Sequence, residues 1–237
     1  MQFKKLSAPS LKELFVEELE NKILSGELSI GEKLPSEREL ATSMQVSRAV
    51  VNAGIAELEQ KGFLEIRPRV GTFVNDYHRN GSLDTLVSIM KYNGGALSNE
   101  EVQSILELRI ALVNMASSLA IDKASREEMQ ILVDVLDDIK ASPNAEALVE
   151  NTFRLYHELA FISGNSLLPL LFTSFKALVC ALWHRYVLNY GMDALKNSSE
   201  EFVKLIIAGD KDAAKNYVES TTTESINGSK TIFHTHP

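Results

Sequence analysis

Four arginines and a few small polar residues between positions 38 and 72 have the types and spacing of groups that meet a nucleic-acid duplex. Ser47 can cap a helix and also donate to a phosphate, Arg48 reaches a phosphate or a guanine edge, and Asn52, one turn on, can pair bidentately with adenine. Arg38 stands on the preceding element and can anchor the backbone. Arg67 and Arg69 flank a turn ahead of Gly71 and Thr72, where a hairpin would reach an adjacent groove, and Ala49 completes the set. A second group of candidates follows later in the chain. Arg109 interrupts the apolar helical series Ile105, Leu108, Leu112 and Met115, and a guanidinium there holds a carboxylate or phosphate bidentately, or pairs with Glu107, or faces solvent. His157, Arg185, Tyr186 and Thr221 are polar groups in apolar surroundings; the first three read equally as cavity residues or as satisfied core or helix-end residues, and Thr221 reads as a polar helix end ahead of a cavity hydroxyl.

The elements that must carry these groups are legible from caps and periodicity. Leu11, Leu14, Phe15, Leu19, Ile23 and Leu24 share one helical face, and the helix ends near Gly26. Ser36 and Glu39 have capping-box spacing and open a short second helix reaching about Met44. Ser47 caps a third helix that runs to Lys61, with Gly62 placed to end it. Residues 63–66 alternate like a strand, 68–71 turn, and 72–74 return. Three helices and a hairpin make a winged helix-turn-helix. The polar stretch 75–82 reads as a linker, so the expected division is a winged domain over 1–76, a linker over 77–82 and a helical domain over 83–237. Helices are expected near 83–93, 99–124, 126–141, 145–163, 167–190, 199–208 and 211–226, three of them headed by Ser98/Glu101, Ser125/Glu128 and Ser198/Glu201 boxes. The fold class is mainly α, with a small β-hairpin and a C-terminal antiparallel bundle. The stretch 167–188, apolar on nearly every face, is expected in the middle of that bundle.

The bulk numbers limit the alternatives. At 237 residues, 45% hydrophobic and 24% charged, the chain is an ordinary globular one. The net charge of −8 is unevenly spread, since residues 1–78 carry 10 basic against 12 acidic groups, and a near-neutral module can still present one basic face. Cys180 is the only cysteine, which leaves no intramolecular disulfide and suits a reducing cytoplasm. No run approaches the roughly 20 uninterrupted apolar residues that span a bilayer, so no membrane partner is expected. Phosphate-binding loops, dinucleotide fingerprints, His-Glu-x-x-His and Gly-x-Ser-x-Gly are all missing, and the chain does not read as an enzyme.

The string Ser25-Gly26-Glu27-Leu28, Gly31, residues 34–41 (LPSERELA), Val46-Ser47-Arg48, Leu58, Gly62 and residues 71–74 (GTFV) closely resembles the DNA-binding domain of the GntR family of bacterial transcription regulators. Residues 107–109 (ELR), 159–165 (LAFISGN), 208–210 (AGD) and Ala214 resemble the helical effector domain of its FadR branch. The resemblance implies a homodimer on a short palindromic operator, acting as a ligand-gated repressor or activator, with an acyl-CoA or other carboxylate metabolite as effector. Two departures stand out. Val50 and Asn52 replace the family's usual Thr and Arg, and Arg69 stands where the wing usually has Gly. Many FadR-branch domains hold a divalent cation between an Asp and three His; here His157 fills the first His position, but Phe153, Ser199 and Thr221 stand at or near the others. No metal or cofactor is therefore expected. A metal-dependent sensor of a small organic acid is the alternative, and a helical binding module with a degenerate DNA head is another.

Overall fold

The computed structural model describes residues 9–92 and 99–232, without the side chains of Met90 and Lys91. Two compact units divide it, residues 1–96 and 97–237.

The first unit opens with α1 (Leu11–Leu24), capped by Ser10, whose Oγ accepts from Glu13 N–H and whose own N–H donates to Glu13 Oε2. Ser36 and Glu39 form the expected box at the head of α2 (Glu37–Ser43), and Ser47 caps α3 (Arg48–Gln60). Each cap satisfies backbone N–H groups that a first helical turn leaves orphaned. Gly62 ends α3 in the left-handed region (φ +80°), with its own N–H on Glu59 O and that of Phe63 on Leu58 O. A Cβ there would lie 2.5 Å from Asn80 O, so the position requires glycine twice over. The hairpin is β1 (Leu64–Arg67) with β2 (Gly71–Val74), registered Leu64↔Val74 through Arg67↔Gly71. A third extended piece, not read from the sequence, pairs Lys33 with Phe73 and bonds Leu34 N to Thr72 O. Phe15, Leu19, Val51, Ile55, Leu58, Phe63, Leu64 and Val74 form the core of this unit.

The stretch read as a linker contains one helical turn, α4 (Tyr77–Asn80), and α5 (Leu83–Tyr92) packs on α1 within the first unit. A buried polar cluster fastens it. Glu20 is only 7% exposed; it accepts from Lys61 Nζ (2.9 Å) and from Ser88 Oγ (2.7 Å) of α5, while Thr85 Oγ1 donates to Lys61 O.

The second unit is helical throughout its described residues: α6 (Asn99–Lys123), α7 (Arg126–Ala141), α8 (Ala145–Ile162), α9 (Leu168–Ser174), α10 (Lys176–Tyr190), α11 (Met192–Ala208) and α12 (Lys211–Asn227). Ser125 and Glu128 make the expected box, whereas Ser98 lies outside the described residues. Ser198 caps nothing. It sits inside α11, which starts at Met192 because Gly191, at φ +82°, breaks the chain there, and Ser198 instead accepts from Tyr217 OH. The centre of the bundle is α8, which packs against α6, α7, α9, α10 and α11 through Leu148, Leu155 and Leu159.

The 167–190 stretch differs from expectation. It breaks at Phe175 into α9 and α10, and Leu167 (64% exposed), Leu170 (64%) and Leu188 (84%) face outward. Its all-round apolar character therefore reflects one face on the core and another left uncovered. By length and composition α6 could cross a membrane, yet it contributes Val102, Val113, Ala116 and Ala120 to the bundle and packs against α8 and α12.

Candidate nucleic-acid interface and effector cavity

The sequence-predicted DNA-facing residues sit on three elements that meet. Arg38 is exposed on α2; Ser47, Arg48, Ala49 and Asn52 are exposed on the first turns of α3; Arg67 and Arg69 are exposed on the hairpin, with Gly71 and Thr72 half-buried beside them. The bond from Leu34 N to Thr72 O ties the wing to the segment that leads directly into the Ser36 cap of α2. Glu37 ties α2 to α3, with its Oε2 3.7 Å from Arg48 Nη2. Asn52 has one amide orientation that does not set acceptor against acceptor. In it, Nδ2 donates to Glu37 Oε2 (2.8 Å) and to Arg48 O (3.1 Å).

On the wing, Arg67 stacks 4.3 Å over the Phe73 ring and donates to Glu65 Oε2 through Nε (3.1 Å) and Nη2 (2.8 Å). Those bonds hold the Glu65 carboxyl below its ordinary pKa and push the Arg67 guanidinium up. Arg67 is thus oriented but partly neutralised. Lys33, whose Nζ lies 6.0 Å from the Phe73 centroid, adds a wing cation that sequence reading missed, because only strand pairing brings it there.

Arg69 occupies the left-handed region at φ +65°, which explains why glycine is usual at this position. Replacing Arg69 with Gly relieves strain of roughly 1 kcal/mol while freeing the unfolded chain. We expect a melting temperature unchanged or slightly raised. If Arg69 meets a phosphate, the slope of log affinity against log salt falls by about 0.9 per half-site; an unchanged slope in a salt titration would remove it from the contact set.

In the second unit a cavity of about 410 Å³ is lined from α6, α8, α10, α11 and α12. Arg109 enters it half-buried, donating to Thr222 Oγ1 (2.6 Å) and Tyr156 OH (3.0 Å), with its guanidinium 5.2 Å from the Tyr156 ring. Both partners are neutral hydroxyls. Tyr156 in turn stacks on Trp183 and Phe202, at 5.4 and 5.3 Å between centroids, which fixes the aromatic wall. Tyr186 and Thr221 line the same space, although Thr221 Oγ1 donates to Tyr217 O.

Arg185 and His157 are not among the lining residues. Arg185 donates to Ile232 O (3.0 Å) and Tyr190 OH donates to Thr231 O (2.6 Å), pinning the chain beyond α12 so that Ile232, 3% exposed, closes one side of the cavity. Burial pushes the Arg185 pKa down. His157 stacks on Phe153 at 5.8 Å. The divalent-cation set of the FadR branch does not fit the donors present. Phe153 offers no ligand atom, and Ser199 and Thr221 offer only neutral hydroxyls, which donate to Leu195 O and Tyr217 O, in place of the imidazoles that such a cation takes. Among the described residues no group of three or more His, Cys, Asp or Glu could hold a metal. Cys180 is half-buried, and burial pushes its thiol up to about 11, away from the thiolate form that reacts.

Comparison with known proteins gives this geometry its context. Residues 11–74 match the model of bacterial regulatory proteins of the gntR family, and residues 75–236 match the FadR C-terminal domain. The fatty acid metabolism regulator protein of Shewanella denitrificans is 30% identical over 191 residues, 80% of this chain and 75% of that protein. The HTH-type transcriptional regulator Mce2R of Mycobacterium tuberculosis is 28% identical over 177 residues, 75% of this chain and 73% of its own. Among solved structures, Lar, which controls expression of the Listeria monocytogenes agr system, aligns over 92% of this chain and 96% of its own, with a TM-score of 0.59 at 17% identity, a likeness of fold. The chain belongs to the GntR family, in its FadR branch: a DNA-binding transcription regulator, not an enzyme.

Proposed function

We propose that this regulator binds a palindromic operator as a homodimer and is switched by a carboxylate metabolite or acyl-CoA held in the helical unit. The observation that carries the effector half is Arg109, a half-buried guanidinium at a cavity, with hydroxyls rather than carboxylates as its partners. Such a group is poised for an anion, and 410 Å³ lies within the usual range for metabolite pockets. The relative named for fatty acid metabolism favours an acyl body against the Tyr156, Trp183 and Tyr186 wall.

For the DNA half, the α3 helix enters the major groove, with Ser47, Arg48, Ala49 and Asn52 foremost and Arg38 on the backbone. Arg67, Arg69, Gly71 and Thr72 face the neighbouring groove. Chromosomal DNA as partner places the protein in the bacterial cytoplasm. The outward apolar residues Leu108 and Met115 on α6, Phe161 on α8, and Leu167 and Leu170 around α9 are the candidates for a dimer seam. The effector acts only as far as it binds the DNA-competent and incompetent arrangements unequally, with about 1 to 3 kcal/mol of coupling typical.

Trp183 is the only tryptophan in the chain and lines the cavity, so its fluorescence reports entry directly. Titration with dodecanoyl-CoA, dodecanoate and succinate should give a saturable change with at least one. Arg109→Met should weaken that ligand about 10- to 100-fold, the worth of charge-assisted hydrogen bonds of roughly 1.5–3 kcal/mol. A saturable response that survives Arg109→Met unaltered rules out the anion site.

A further inference from the structure

We propose that Glu37 is a positioning residue for sequence readout: it fixes which hydrogen-bonding group Asn52 offers to a base. The inference rests on α3 lying in the major groove, as read above. Asn52 carries two amide hydrogens and one acceptor oxygen. Glu37 Oε2 takes one hydrogen at 2.8 Å and Arg48 O takes the other at 3.1 Å, so both are spent inside the protein. What remains for a base is Oδ1 alone.

That changes the chemistry of recognition. An asparagine with a free amide grips adenine at N6 and N7 together, which singles adenine out. With only an acceptor left it takes a hydrogen from any amino group exposed in the major groove, adenine N6 or cytosine N4, and turns away the carbonyl edges of guanine and thymine. Glu37 also stands 3.7 Å from Arg48 Nη2. One carboxylate therefore orients two neighbouring readers and opposes a phosphate that approaches between them. Glu37 is exposed and heads α2, so its replacement leaves the core of the first unit untouched.

The test uses the full-length protein and selection from a random-sequence duplex library, with base frequencies read at each half-site position. Asn52→Ala locates the position that Asn52 reads, by erasing preference there. In the wild type, adenine and cytosine at that position should agree within about threefold, with guanine and thymine about tenfold or more behind. Glu37→Ala frees the amide, and adenine should then exceed cytosine by about tenfold. Glu37→Gln removes the charge but keeps an acceptor for Asn52; it should retain the adenine-or-cytosine pattern while overall affinity rises. An unchanged adenine-to-cytosine ratio in Glu37→Ala overturns the proposal while leaving α3 in the groove. A Gln variant that behaves like Ala also overturns it, by showing charge rather than hydrogen bonding at work. If Asn52→Ala alters no position, the proposal fails, and loss of the Arg48→Ala effect as well would show that the groove placement itself is wrong.

Discussion

Replacing Arg48 with alanine is expected to weaken DNA binding by roughly 30-fold to more than 10,000-fold. A good base or phosphate contact is worth about 1 to 3 kcal/mol, and in a homodimer each substitution is felt at both half-sites, giving about 2 to 6 kcal/mol in total. The salt dependence separates the two modes. If Arg48 meets a phosphate, the slope of log affinity against log salt drops by about 1.8 for the dimer and every sequence suffers alike. If it meets guanine, preference at one position of each half-site relaxes and the slope holds. Mobility shifts at several salt concentrations distinguish these outcomes. Effector affinity, followed by Trp183 fluorescence, should change less than about twofold, because Arg48 and the cavity belong to different compact units. Equal loss of both would refute the division of labour between head and bundle.

The second large effect concerns stability. Lys61→Met leaves Glu20 almost fully buried with only the Ser88 hydroxyl as partner, and breaking such a pair costs about 3 to 5 kcal/mol. That is a large share of the roughly 5–15 kcal/mol that holds a typical domain folded. Thermal unfolding should show the first unit melting far earlier, while Trp183 in the second unit still reports ligand. The double replacement Lys61→Met with Glu20→Leu should recover most of the loss, since two apolar groups leave no stranded charge. A single-variant cost below about 1 kcal/mol would mean that water reaches Glu20 in solution. The pair also has a pH signature. Burial acts to lower the Lys61 pKa, but hydrogen bonds with Glu20 and Glu57 outweigh it and the net shift is upward. A raised lysine contributes stability in full below its unfolded value of 10.5 and loses that contribution as pH rises through the higher folded value. The first unit should therefore soften in alkali, and the double variant should soften less.

How far the sequence could be read follows from where the determinants lie. The Ser36, Ser47 and Ser125 caps and the Gly62 stop are local, written within four residues, and the structure repeats them. What escaped reading depends on distant partners. Glu20 looks like a solvent-facing charge on α1 until Lys61 and Ser88 fold over it. Lys33 becomes a wing residue only through pairing with Phe73. The Ser198/Glu201 spacing imitates a cap, but the break that starts α11 is Gly191, seven residues earlier. Periodicity also cannot tell a core helix from one with a second, outward apolar face, so the 167–188 stretch reads as central although Leu167, Leu170 and Leu188 are exposed. Of the effector candidates, Arg109, Tyr186 and Thr221 reach the cavity, whereas His157 and Arg185 do not, the latter because its partner is a backbone carbonyl 47 residues away.

The cavity wall is built unequally. Among the described residues, every one that lines the cavity belongs to a helix except Lys230 and Ile232, which stand beyond the end of α12 in a segment held by Arg185 and Tyr190 through the carbonyls of Ile232 and Thr231. A guest too bulky for the resting space would meet least resistance there, since lifting a few residues of chain gives up the bonds from Arg185 and Tyr190, that of Ile232 N–H to Ser225 O and the burial of Ile232, rather than the packing of a helix. The bundle would then accommodate a homologous series of acyl lengths by degrees, with a soft upper limit set by the tether instead of a sharp cutoff set by the rigid walls.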